Sequence, residues 1–445
     1  MQTTIGYRRI IQLALPIILG GVAQTIIMAT DAFFMARVDE VSLAAVGLAG
    51  LFFSSVYVFG LGFSVGVQIL IARRDGEKNH SAIGGIFDNS LLILFLMSLL
   101  LWLGLEVLGP VLLKTLVSSE AVYEASVSYL GSRSWGITFA LISLAFRSLF
   151  IGISQSAVIT WSTISMAVAN VFLNYALIFG EFGFDEMGIR GAGIASSLSE
   201  IVAIIWFVAH AFITKAIDKY GLFRWKGISR DEISGVFSIS APVMFQNVIS
   251  HGGWFLFFII IEKNSERALA ISVIIRMIYM FQMVPFWGLT SAANTLVSYI
   301  IGEGRNREVF PLLRKITWLA IISATPFLVA NLFFPQFVLG LAVEDKTSTL
   351  LIEAVPTLYV VSLGLLLFAI AGAVFAGVTG SGNTRTALAI EIITILFYLA
   401  IAWFLGIYLK LDVVLVWLTE PFYFVLMGLM AFAYLRTGKW QNRKI

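Results

Sequence analysis

The sequence predicts an all-α polytopic membrane protein: twelve transmembrane helices in two six-helix bundles, related by a pseudo-twofold axis along the membrane normal. Three observations carry this expectation. Apolar runs recur along the whole chain and far exceed the ~10 residues of a barrel strand. Lys and Arg gather in short loops on one side. The second half of the chain repeats the first.

Composition narrows the function classes. The 445 residues are 59 % hydrophobic and 12 % charged, with a mean hydropathy of +0.94, which excludes a soluble globular chain. The lack of Cys excludes disulfides, thiolate metal sites and a Cys nucleophile. His80, His210 and His251 form no HExxH or comparable ligand spacing, so no metal or other cofactor is expected. The net charge of +3 rests on bases in short loops and gives no sign of a nucleic-acid partner. The first apolar run is too long for the core of a signal peptide, so no cleavable leader is expected.

The twelve spans fall at about 10–36, 42–72, 86–109, 126–152, 157–180, 189–213, 233–261, 267–301, 313–341, 354–379, 386–409 and 413–435. Nineteen Lys and Arg lie on one side, among them Arg8, Arg73, Lys226, Arg305, Arg385 and Lys444. Seven lie on the other: Arg37, Lys114, Arg190, Lys263, Arg267, Lys346 and Lys410. Both termini are therefore expected in the cytoplasm, with the chain in the cell's inner membrane. Arg133, Arg147 and Arg276 fall within spans.

A shift of 226 aligns Pro16 with Pro242, Ser42–Ala45 with Ala268–Ile271, Gly62 with Gly288, Gln68 with Asn294 and Gly76-Glu77 with Gly302-Glu303. A shift of 225 then aligns Pro110 with Pro335 and Phe150–Ser156 with Phe375–Ser381. The expected organisation is a first bundle over 1–213, a linker over 214–232 and a second bundle over 233–445. Repeats with an even number of spans lie the same way up, a plan of several secondary transporters, with a ligand cleft between them. Leu222, Phe223 and Trp225 in the linker suggest a short helix at the membrane interface.

The first span carries one charge, Asp31. A carboxylate inside a span is costly and is by default a functional group. Gly20, Gln24, Met28 and Asp31 follow spacings of four, four and three, which stack them into one small, polar-leaning stripe. Asp31 also stands six residues before Arg37, so interfacial water or a pair with Arg37 is the competing reading. The shift of 226 puts Phe257 opposite Asp31, so only the first half has this acid.

Asn170 and Asn174 are one turn apart in the fifth span, and Ser196 and Glu200 one turn apart in the sixth. Amide, hydroxyl and carboxylate oxygens suit H⁺ or Na⁺, although interhelical hydrogen bonding of ~0.6 kcal/mol explains any one of them alone. Arg133, Arg147 and Arg276 could pair with buried acids such as Glu200 or line the cleft; snorkelling explains the first two equally. Glu391 and Glu420 lie in the last two spans, near the ends or paired within the bundle. Tyr129 begins the fourth span, as an interface-belt or a site residue. The run 276–287, with Met280 and Met283, could hold organic cations or simply face lipid.

With its two six-span repeats, the chain resembles the multidrug and toxic compound extrusion (MATE) family, DinF-like branch. The resemblance rests on LALPIILGGVAQTIIMATDAFFMARV with Pro16 and Asp31, on NVFLN in the fifth span and on GIRGAGIASSLSE opening the sixth. It implies a V-shaped transporter that exports amphipathic, often cationic compounds in exchange for H⁺ or Na⁺. The family's cation site would then comprise Asp31, Asn170, Asn174, Ser196 and Tyr129, with Pro16 as the hinge of the first span. The position of Asn174 is commonly an acid in the family. A single carboxylate attracts Na⁺ less, which favours H⁺ while leaving the Asp31 cluster open to Na⁺. Gln24, Met28, Gln68, Glu200, Arg276, Met280 and Met283 are the candidate substrate residues, and a monomer is expected. A lipid-linked precursor flippase of the same superfamily would need more cationic side chains than Arg133, Arg147 and Arg276. An intramembrane enzyme would need a DxxxD pair, a His-rich motif or a Ser/His/Asp set, none of which stands out.

Overall fold

A computed structural model describes residues 5–225, 230–342, 349–443 and 445. Lys226, Lys346 and Lys444, counted above for orientation, and residues 226–229 of the linker lie outside the described residues. The described chain is helical. The first half comprises α1 (Tyr7–Ala36), α2 (Glu40–Gly76), α3 (His80–Leu116), α4 (Glu120–Ser134), α5 (Gly136–Gly152), α6 (Ala157–Phe179) and α7 (Ile189–Ile213). A short α8 (Ala216–Tyr220) follows. The second half comprises α9 (Arg230–Asn264), α10 (Glu266–Gly302), α11 (Val309–Phe333), α12 (Pro335–Leu339), α13 (Thr349–Gly380), α14 (Thr384–Trp403), α15 (Val413–Trp417) and α16 (Thr419–Arg436). Among the described residues eleven helices are long and apolar enough to cross a membrane, or twelve when a bent pair counts as one span.

That bent pair is α4 and α5, which meet at 47°, so the fourth expected span is broken rather than continuous. The break sits at Trp135, in the run Gly131-Ser132-Arg133-Ser134-Trp135-Gly136. Glycine and serine pairs are common sites of sharp helix bends. Gly136 has a second reason to be glycine: a Cβ there would collide with Ser197 and with the Arg133 guanidinium. Gly193 on α7 is equally constrained, by Ser132. Two missing side chains thus let α4 and α5 close on α7.

The repeat extends to the caps. Asp39 accepts from the Ser42 backbone N–H at 2.6 Å and starts α2. At the position matched by the 226 shift, Ser265 accepts from the Ala268 N–H at 3.0 Å and starts α10. Each cap satisfies one of the amide donors that a helix start leaves open. The SLAA and ALAI segments are therefore the first turns of matched helices.

The chain forms two compact units, residues 15–244 and residues 1–14 with 245–445. Their limits fall beside the matched prolines, Pro16 inside α1 and Pro242 inside α9. In the first unit α2 packs on α4 and α5, and α6 lies along α7. The linker belongs to this unit too. Leu222 is buried, and Phe223 sets its ring against Phe87 and Phe146. Asp88 on α3 accepts from the Phe223 N–H at 2.8 Å and the Trp225 N–H at 3.2 Å. The expected interfacial helix is thus corrected: the helix, α8, precedes these residues, and Leu222 and Phe223 plug the bundle. In the second unit α10 and α16 pack on α13, and α14 on α16. Lys315 donates to the Ile5 carbonyl at 2.7 Å and Arg9 lies over the Tyr299 ring, which ties the first turn of α1 into this unit.

Candidate functional site

The carboxylate of Asp31 is the centre of a hydrogen-bonded cluster inside the first unit. α1 brings it alongside α6. There Gly20 lets α1 approach Ile159, and the Thr160 hydroxyl donates to the Pro16 carbonyl at 2.8 Å. α6 and α7 are antiparallel neighbours joined by residues 180–188, which places the polar face of each helix opposite the other. Asn170 and Asn174, one helical turn apart, are both fully enclosed.

The bonds run in a closed circuit. Asn174 Nδ2 donates to Asp31 Oδ1 at 2.5 Å and to Asn170 Oδ1 at 3.1 Å. Asn170 Nδ2 donates to Ser196 Oγ at 3.3 Å, and Ser196 Oγ donates to Asp31 Oδ2 at 3.2 Å. One atom is left over: Asn174 Oδ1 is buried and has no partner. A hydrogen bond to a charged group contributes ~1.5–3 kcal/mol. Taking a carboxylate out of water costs several kcal/mol. Asp31 is half-buried, so two such bonds go far to offset the desolvation of its ionised form. A proton on the acid, or a cation beside it, changes that balance directly, and Asn174 Oδ1 is an acceptor in reserve for either.

Arg133 stands nearby without pairing with Asp31. Its Nη2 lies 3.6 Å from Glu200 Oε1, its Nη1 donates weakly to Ser197 Oγ at 3.4 Å, and its guanidinium lies over the Phe53 ring at 4.1 Å. Both side chains of the Arg133–Glu200 pair are nearly buried, so each charge compensates the other. Tyr129 on α4 is 5 % exposed and within electrostatic reach of Arg133 and Asp31, which takes it off the interface belt. Arg37, the competing partner for Asp31, lies instead over the Phe33 ring at 4.4 Å.

The remaining sequence candidates scatter. Gln24 and Met28 share the helix with Asp31 but are exposed, Met28 to 61 %. Gln68 is buried on α2, where that helix backs on Gly152 of α5. In the second unit Arg276 lies over the Phe258 ring at 5.3 Å, and Met280 and Met283 diverge, one exposed and one buried. No group of three or more His, Cys, Asp and Glu suited to a metal occurs among the described residues. The bond from Thr160 to the Pro16 carbonyl, and the place of Arg133 beside Asp31, were not legible beforehand. A threonine opening a span and an arginine ending one have many commoner roles.

Fold and site together define a multi-pass helical membrane protein with an acid held by neutral donors inside its first span. The MatE family profile matches residues 16–176 and 242–404, one match in each half. The chain belongs to the MatE (MATE) family of transporters, and the two matches begin at the paired prolines. It is 26 % identical over 446 residues to a protein of Thermotoga maritima named probable multidrug resistance protein NorM, covering 98 % of this chain and 94 % of that one. A Bradyrhizobium diazoefficiens protein of the same name is 25 % identical, with 92 % and 88 % covered. Among solved structures, an outward-facing multidrug resistance MATE family transporter superposes with a TM-score of 0.90 at 18 % identity, covering 98 % and 97 %. A MOP superfamily transporter from Pyrococcus furiosus, described as having a binding pocket of reverse polarity, superposes at 0.89 and 18 %, with the same coverage. At such identity the two structures speak for the fold alone.

Proposed function

We propose that the chain is a proton-coupled antiporter that exports amphipathic or cationic drugs and toxic compounds by alternating access, with Asp31 as the coupling group. The observation that carries the reading is an aspartate inside a span, bound by one amide and one hydroxyl, with a second amide closing the circuit and one amide oxygen unused. The names of the Thermotoga maritima and Bradyrhizobium diazoefficiens relatives support drugs as cargo. The cluster lies in the first half of the chain, which supports the DinF-like branch. The excess of Lys and Arg on one side supports an inner-membrane location with both termini in the cytoplasm. A monomer suffices, because every partner of Asp31 comes from its own unit.

In this mechanism a proton from outside neutralises Asp31. The acid becomes a donor, and a half-turn of the Asn174 amide presents the unused oxygen to it. The Ser196 and Asn174 bonds weaken as the charge goes, and α1 shifts about Pro16, whose carbonyl Thr160 holds. Release of drug on one side and of the proton on the other are then linked reciprocally. Each unit of difference in Asp31 proton affinity between the two states supplies about 1.4 kcal/mol of bias. Tyr129 and the Arg133–Glu200 pair set the field around the acid, and Gln24 and Met28 on the exposed face of α1 are the nearest candidates to touch drug.

The test is dye efflux from proteoliposomes under an imposed ΔpH or ΔNa⁺. Efflux that follows ΔpH and ignores Na⁺ is expected. Efflux that follows Na⁺ alone would replace the proton with Na⁺, and efflux under neither gradient would end the antiport reading.

A further inference from the structure

The second unit buries two acids of its own. Glu391 on α14 is 1 % exposed and Glu420 on α16 is 5 % exposed. Glu391 Oε1 accepts from the Ser250 hydroxyl on α9 and from the Tyr423 hydroxyl on α16, the latter at 2.7 Å. Glu420 Oε1 accepts from the Tyr279 hydroxyl on α10 at 3.1 Å. The Tyr398 hydroxyl on α14, in a side chain 2 % exposed, faces Glu420 without a well-formed hydrogen bond. The buried Trp254 Nε1 on α9 also lacks a partner, and its ring lies beside Tyr279.

The place of this cluster in the repeat is informative. The shift of 226 matches Ser250, Trp254 and Phe257 with Gln24, Met28 and Asp31, so they form the same stripe on the matched helix. The shift of 225 matches α14 and α16 with α6 and α7. Phe257 fills the aspartate position, with its ring 5.1 Å from Tyr398 and 5.2 Å from Trp417. The acid is therefore not lost from the second half. Its acids stand on the fifth and sixth helices of the repeat rather than on the first.

What can such a site hold? Among the described residues no basic side chain forms an ion pair with either acid. From α9 they meet Ser250, from α10 Tyr279, from α14 Tyr398 and from α16 Tyr423. From α13 Glu420 meets Gly364, which carries no charge. Of the bases on these helices, Arg267 pairs with Glu353, Arg276 lies over Phe258 and Arg436 over Phe432, while His251, next to Ser250, sets its Nδ1 against the Asn247 carbonyl at 2.9 Å. Packed rings fill the surroundings, with Tyr398 and Tyr423 at 5.6 Å and Tyr423 and Phe424 at 5.2 Å. A drug-sized ligand has no room there. Both hydroxyls on Glu391 converge on one oxygen, which leaves the other free to carry hydrogen. A proton needs no space and removes the cost of an uncompensated buried charge.

We propose that the second unit carries its own proton-binding site, formed by Glu391 and Glu420 within a shell of Tyr279, Tyr398 and Tyr423. Its use in transport rests on the antiport reading above; its existence does not. The test is infrared difference spectroscopy of the purified full-length chain between acidic and alkaline buffer, following the carbonyl stretch of protonated carboxyl groups. In the Asp31→Asn background, pH-dependent carboxylic-acid bands should persist. Glu391→Gln should remove one and Glu420→Gln another. Tyr423→Phe, which keeps both acids, should displace the Glu391 band, and Tyr279→Phe that of Glu420. Bands unchanged by all four substitutions, or bands that respond to Na⁺ rather than pH, would overturn the proposal. If the Gln variants fail to fold, the two Phe variants carry the test, and no displacement in either overturns it. Dye efflux does not enter this readout, so failure of the antiport reading leaves it interpretable.

Discussion

Asn174 donates to Asp31 across 2.5 Å while its own side-chain oxygen, equally buried, accepts nothing. The amide thus presents its donor to the ionised acid and keeps its acceptor for the protonated one. An isosteric residue unable to do both should fail in a defined way. Asn174→Leu removes the donor and should lower ΔpH-driven dye efflux roughly 10- to 100-fold, as expected for loss of one hydrogen bond to a buried charge of ~1.5–3 kcal/mol. Asn174→Asp places a second carboxylate beside the first and should make efflux respond to Na⁺. Proteoliposome efflux under each gradient checks both.

The Arg133–Glu200 pair should behave as a compensated buried pair. Arg133→Met or Glu200→Gln alone leaves one charge without its partner and should cost ~3–5 kcal/mol of stability. The double variant should recover most of that. Thermal unfolding in detergent measures it, and equal losses in single and double variants would show that the two residues do not act together.

Asp39 offers a pH prediction. The Ser42 backbone N–H, then the Ser42 hydroxyl, hold its carboxyl below the usual aspartate range. A depressed value means that the ionised acid stabilises the folded state. That contribution is present above the unfolded-state value and is lost as pH falls through the folded one. Asp39→Ala should cost about 1 kcal/mol near neutral pH, as for other N-caps. The difference from wild type should shrink in acid, and melting curves across pH follow it.

Much of this was legible in the sequence, for physical reasons. A bilayer forces long apolar helices, so hydropathy located the spans, and duplication left matched prolines and caps. A spacing of four puts Asn170 beside Asn174 from the sequence alone, and Ser196 and Asp31 meet them because α6, α7 and α1 are neighbours. What was hidden depended on tertiary approach. The Gly and Ser residues around Trp135 permit a bend, but only the packing of Gly136 against Ser197 on α7 fixes it there. Glu391 and Glu420 read equally as end-of-span residues or as groups paired within the bundle until Ser250, Tyr279 and Tyr423 are seen around them. Met280 and Met283 look alike in sequence and stand three residues apart, yet one is exposed and the other buried because the edge of the packed face runs between them.

The most direct measurement is ΔpH-driven efflux by Asp31→Asn in proteoliposomes, with insertion and folding checked alongside. The substitution keeps the size and a hydrogen-bonding head but cannot take up a proton. Efflux should fall to the level of empty liposomes while drug binding to the purified protein survives. Wild-type proton-driven efflux by Asp31→Asn would contradict the role of Asp31 as the coupling group.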